Sequence, residues 1–179
     1  MLTDNQLSQL ESDLSACKGV VHQGLLDNQK QLTLYSQVED FFKTSAYTLT
    51  TSKRGFNISI ECIQLAFVEM LEFEEELGYH GFAVKQIGQD YMFKMAFCCS
   101  DQVKNTFMEK IKRLNSLDEQ EKKDMHLNIL GSSTFRSLIP GFTVLAISKK
   151  SSDAVRFHFT PLPKHKHLMT VFATLKNEL

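Results

Sequence analysis

The residues best equipped for chemistry in this chain are consecutive: Cys99, Ser100 and Asp101. Ser100 or Asp101 can cap a helix whose apolar face is Val103, Phe107, Ile111 and Leu114. A thiol at the start of that helix feels the positive end of its dipole, which favours the thiolate. Cys99 is therefore the one candidate nucleophile, and a thiol-dependent enzyme is one function class left open. Such chemistry also needs a histidine base and an orienting carboxylate. Six histidines are available, and no motif ties any of them to Cys99. The competing reading is a cysteine that ends a strand inside the core and behaves as a small hydrophobe.

Other polar groupings point to weaker chemistry. Lys164-His165-Lys166-His167 holds two histidines two apart. On a strand they would share a face, as metal ligation needs. On a helix starting after Pro163 the two rings diverge by about 200°, so no metal site is expected. His158 alternates with Phe157 and Phe159 and belongs on the wet face of a strand. Lys53-Arg54 and Lys149-Lys150 mark two expected hairpin tips. Converging tips could grip a phosphate, although lysines at turns also serve solubility. The run from Tyr91 to Phe97 mixes aromatics with Lys94 as single-strand-binding sheets do, without the glycine pattern of an RNA-recognition motif. Phosphate-loop, dinucleotide, serine-hydrolase and zinc-protease signatures are all missing. No cofactor is expected.

Composition narrows the classes further. The 179 residues suit one domain, 1–179, that buries roughly 70% of its unfolded surface. Fourteen phenylalanines and no tryptophan supply both core and material for an apolar binding surface. A net charge of −1 argues against nucleic acid as a partner. The four cysteines, Cys17, Cys62, Cys98 and Cys99, form no disulfide-like spacing. The N-terminus lacks the pattern of a secretory signal, and no apolar stretch is long enough to span a membrane. A cytoplasmic location is expected.

The elements that must position these residues follow from periodicity. Thr3 to Gln6 can form a capping box, and Leu7, Leu10, Leu14, Cys17 and Val21 then fall on one helical stripe reaching about Gly24. Leu34, Val38, Phe41 and Phe42 mark a second helix to about Lys43, completing a helical N-terminal segment, 1–44. Three β-hairpins are predicted: Tyr47 to Ile60 about Ser52-Lys53-Arg54-Gly55, Phe82 to Cys98 about Ile87-Gly88-Gln89-Asp90, and Phe142 to Thr160 about Lys149 to Asp153. Each leads into a helix: Cys62 to Leu77, then Val103 to Leu114 with a short charged helix capped at Ser116-Leu117-Asp118-Glu119, then Lys164 to about Asn177. Pro161-Leu162-Pro163 should break the last strand. The fold class is α+β: an antiparallel sheet of about three hairpins, packed on one face by helices.

The function these features favour is a non-catalytic protein–protein interaction module: an adaptor, chaperone-like partner or inhibitor binding through an apolar helix or sheet surface. Leu7, Leu10, Leu14 and Val21 are the candidate partner-binding residues, with a protein partner or self-association expected. A small-molecule-binding sensor, its ligand held between sheet and helices, is the alternative from a different class.

Overall fold

The computed structural model describes residues 19–24, 27–45, 48–71, 80–130, 139–163 and 166–176. The order of elements is β1 (Gly19–Gly24), α1 (Asn28–Lys43), α2 (Leu49–Leu71), β2 (His80–Ile87), β3 (Asp90–Ser100), α3 (Asp101–Ser116), α4 (Glu119–Leu130), α5 (Ile139–Lys150), β4 (Arg156–Leu162) and β5 (Lys166–Leu175). The strands form one five-stranded sheet in the order β1-β2-β3-β5-β4. Every pairing is antiparallel. The protein is α+β, with helices packed against the sheet.

The β2–β3 hairpin lies where its alternation predicts, closed by Gly88 at φ +63°. It builds the core directly. Tyr91, Phe93, Met95, Phe97 and Cys99 point to one face of β3 and are all buried, as a period of two requires. Across the sheet their Cα partners are Leu175, Ala173, Val171, Met169 and His167 of β5. Helices supply the other half of this core. Phe42 of α1 stands edge-on to Tyr91 at 5.0 Å and stacks near Phe93 at 6.4 Å. Phe107 of α3 meets Phe97 at 6.2 Å and Phe157 at 6.4 Å.

Several elements differ from the sequence expectation, each for a physical reason. Residues 19–24, expected to end a helix, form edge strand β1. Gly19 there lies so close to β2 that a Cβ would sit 2.1 Å from the Val84 carbonyl oxygen. The expected first hairpin is part of helix α2. Its buried positions Thr51, Gly55, Ile58, Cys62 and Leu65 follow a helical stripe, and the Thr48 hydroxyl accepts the Thr51 amide at 3.2 Å to open it. Gly55 is a helix-crossing position rather than a turn. A Cβ there would meet the Phe42 ring at 2.4 Å.

The expected strand from Phe142 to Ser148 lies in α5. Thr143 to Ile147 are buried without a break, as in a helix enclosed on all sides, and Pro140 falls in the first turn, where a missing N–H is tolerated. The expected last helix is strand β5. This strand lies between β3 and β4 and is buried on both faces, Leu168 and Thr170 on one side and Met169 and Val171 on the other, so no period of two shows in its sequence. Of the three hairpins, the second stands, while the third keeps only its returning arm, as β4, which pairs onward with β5. Pro161 does not break β4, because an edge strand tolerates proline. The capping box before α4 is shifted by two residues. Asp118 accepts the Glu121 amide while Glu121 accepts the Asp118 amide, both at 2.8 Å. Leu7, Leu10, Leu14 and Cys17 lie outside the described residues.

Candidate functional site

Among the described residues, two places bring together side chains that could act. The first is the junction of β3 with α3. Ser100 is the N-cap of α3, its hydroxyl accepting the Val103 amide at 3.3 Å, so Asp101 opens the first turn where the dipole favours a carboxylate. The sheet register sets His167 of β5 directly across from Cys99, and antiparallel partners of this kind hold their Cβ atoms roughly 5 Å apart. His167 Nε2 lies 2.6 Å from Asp101 Oδ1. The imidazole also stands perpendicular to Phe159, with centroids 6.4 Å apart, and the Lys104 ammonium lies 5.8 Å from that ring's centroid.

This junction therefore contains the cysteine, histidine and carboxylate that sequence motifs left unconnected. Only Asp101, with 53% of its side chain exposed, reaches solvent, whereas His167 is 10% exposed. Cys99 is buried, and so is His167 Nδ1, which has no hydrogen-bond partner among the described residues. The helix dipole that would activate Cys99 acts here on a thiol closed to substrate. Burial also pushes the Cys98 thiol up from its ordinary value, and that of Cys62 much further. Burial disfavours the thiolate.

The second place is a cleft between the C-terminal end of α1 and the first turns of α2, with a volume of about 620 Å³. Its apolar lining comes from Phe42, Leu49 and Phe56, and its polar lining from Glu39, Lys43, Ser45, Ser52, Lys53 and Asn57. Phe42 is the same ring that packs on Tyr91 and Phe93, so the floor of the cleft is rigid. Leu49 is 71% exposed. Leu49, Ser52, Lys53 and Phe56 recur at helical spacing and share one flank of α2, a pattern hidden when residues 47–60 are read as a hairpin. Lys43 is held by Glu39 at 2.7 Å. Lys53 has no ion pair among the described residues.

The remaining sequence candidates are dispersed. The basic pairs do converge, but structurally. Arg54 Nη2 donates to the Lys150 carbonyl at 3.0 Å and so satisfies the end of α5, and Lys150 Nζ pairs with Glu61 at 3.0 Å. His158 is exposed on β4. Val21 is 39% exposed on β1, and Lys94 covers the Phe172 ring at 5.7 Å rather than offering an open aromatic platform. His167 lies on a strand, not a helix, while His165 falls outside the described residues. No three histidine, cysteine or acidic side chains converge among the described residues as a metal would need. No described helix is long and apolar enough to cross a membrane.

No protein-family model and no curated protein sequence matches this chain. Its fold is nonetheless shared. A chain in the crystal structure of the SiaB–SiaC complex from Pseudomonas aeruginosa aligns with a TM-score of 0.76, over 97% of this chain and 100% of that one, at 14% identity.

Proposed function

We propose that this protein is a protein–protein interaction module, acting by binding a partner as an adaptor, chaperone-like partner or inhibitor. The observation that carries the reading is the likeness along the whole length of both chains to a component of a two-protein complex. One feature of the chain supports it: Val21 leaves an apolar side chain partly in solvent on an edge strand. Leu7, Leu10 and Leu14, the sequence candidates ahead of it, are proposed as a stripe of further contacts of the apolar kind that partner recognition uses. Cys62 and Cys98 are thiols with no disulfide among the described residues, which supports a reducing, cytoplasmic setting.

The test is an affinity capture from the source cells with wild type and the Leu10→Asp plus Leu14→Asp variant, each checked for folding by circular dichroism. Wild type should retain a discrete protein, or a second copy of itself, that the variant loses. Equal capture by a folded variant removes the stripe from the proposal. No specific capture, with a monomer by light scattering, removes the proposal itself. A thiol-dependent enzyme has one observation in its favour, the register of Cys99 with His167, and burial of that thiol weighs against it.

A further inference from the structure

We infer that the cleft between α1 and α2 is a binding site for a small amphipathic carboxylate, its apolar body on Phe42 and Phe56 and its charge at Lys53. Size is the first argument. Small-ligand sites enclose roughly 300–1,000 Å³, and this cleft, at about 620 Å³, falls in that range with Phe42, Leu49 and Phe56 as its apolar wall. Leu49, 71% exposed at its wall, would gain from a ligand apolar contact that the described residues do not supply.

Charge selects the sign of the ligand. Glu39 neutralises Lys43 at 2.7 Å, so Lys53 is left as the uncompensated charge of the lining. The first turn of α2 adds the positive end of its dipole, whereas the opposing negative end of α1 has its Asp40, Phe41 and Phe42 carbonyls bonded by Thr44 and Ser45. Hydrogen bonding selects the same class. The Ser45 hydroxyl donates to the Phe42 carbonyl at 2.8 Å, so the 3.1 Å contact between Ser45 and Ser52 must be donated by Ser52. Both serine protons are thus used inside the protein. Donors for a bound ligand come from the Lys53 ammonium and the exposed Asn57 amide, which suit an anionic head, while Glu39, the one carboxylate of the lining, is already engaged by Lys43. This inference goes beyond the partner-binding reading and is independent of it.

The experiment titrates decanoate, below its micellar concentration, into the full chain followed by ¹H–¹⁵N correlation spectra. Saturable shifts confined to the end of α1 and the first turns of α2 are expected. Decyltrimethylammonium, with the same tail and opposite charge, should give none. Lys53→Glu, at an exposed position, should weaken decanoate by roughly tenfold or more, the scale of a lost charge-assisted hydrogen bond. Leu49→Asp should weaken it as well. Shifts spread over the sheet, failure to saturate, equal response to the cation, or unchanged affinity in Lys53→Glu would overturn the inference. So would a partner protein whose capture depends on Lys53 while decanoate leaves the cleft unshifted, because the cleft would then be a protein contact.

Discussion

The β3–α3 junction and the α1–α2 cleft are opposites. The junction holds a cysteine, a histidine and a carboxylate in one constellation, yet Cys99 and His167 are closed off and the His167 imidazole is fixed by Asp101 at 2.6 Å. The cleft holds no nucleophile or base of note, yet it is open, apolar and lined by a lysine without an ion pair among the described residues. Access, more than residue type, separates a site from a piece of core. A buried polar group is costly unless bonded, so the Asp101 contact reads as structural, supplying a partner for one of the two nitrogens of a buried imidazole. The cleft leaves apolar surface in water that packing has not claimed.

The largest effect that could break this contrast is thiol reactivity. Under native conditions Cys99 should alkylate at least about a thousandfold more slowly than in the urea-unfolded chain, since its exposure requires opening of the core. Peptide mapping of iodoacetamide-treated protein reads this directly. A native rate like that of the unfolded chain would mean the junction is open, and the thiol-enzyme reading would return.

Next in size is Gly55→Ala. Helix propensity alone favours alanine over glycine by about 1 kcal/mol. The new Cβ, however, would lie 2.4 Å from the Phe42 ring, and that ring is held between Phe41, Tyr91 and Phe93. Overpacking should win, with a net loss of about 1–3 kcal/mol in urea unfolding. A stabilised variant would show that the cleft floor is softer than the contacts imply.

Asp101→Ala should cost about 1–2 kcal/mol. It leaves both His167 nitrogens without a partner and removes a carboxylate from the first turn of α3, although the exposure of Asp101 moderates the loss. Asp101→Asn, which keeps an acceptor, should cost less. If the alanine variant unfolds at the wild-type urea midpoint, the bond at the junction contributes nothing to stability.

How much of this was legible in the sequence depends on how each element meets its neighbours. Elements with one wet face announce themselves. Helices α1 and α3 show clean periods, the latter in Val103, Phe107, Ile111 and Leu114, and β3 alternates from Tyr91 to Cys99 although its neighbour β2 is buried without a break from Gly81 to Lys85. Elements enclosed on several sides do not. The run Thr143 to Ile147 and the strand His167 to Ala173 are both near-continuous apolar stretches; the turn-like residues Lys149 to Asp153 point to a hairpin for the first, and the spacing of Leu168, Val171, Phe172 and Leu175 points to a helix for the second. Helix α2 was hidden differently. Its packing stripe is built partly from Thr51, Gly55 and Ser59, small residues that no count of hydrophobic residues registers, and Gly55 is the one that lets Phe42 approach. The junction was half legible. Cys99 and Asp101 are neighbours in sequence, but His167 joins them only through the register of β3 on β5, which a reading of residues 164–177 as a helix excludes. The cleft had no signal at all while residues 47–60 were read as two strands.

The smallest expected effect tests the cleft most sharply. Leu49→Asp should change folding stability by no more than about 0.5 kcal/mol. Asp is the poorer helix former by several tenths of a kcal/mol, but in the first turn of α2 it gains a comparable amount from the dipole, and a side chain already 71% exposed has little burial to lose. The same change at Phe42, 4% exposed on the same cleft, would place a carboxylate in the aromatic core and should unfold the protein. If Leu49→Asp instead costs several kcal/mol, then Leu49 is packed, the cleft is filled from within, and the difference between the two regions disappears. A neutral result leaves Leu49 as apolar surface that folding does not use, which is what a ligand or partner would need to find there.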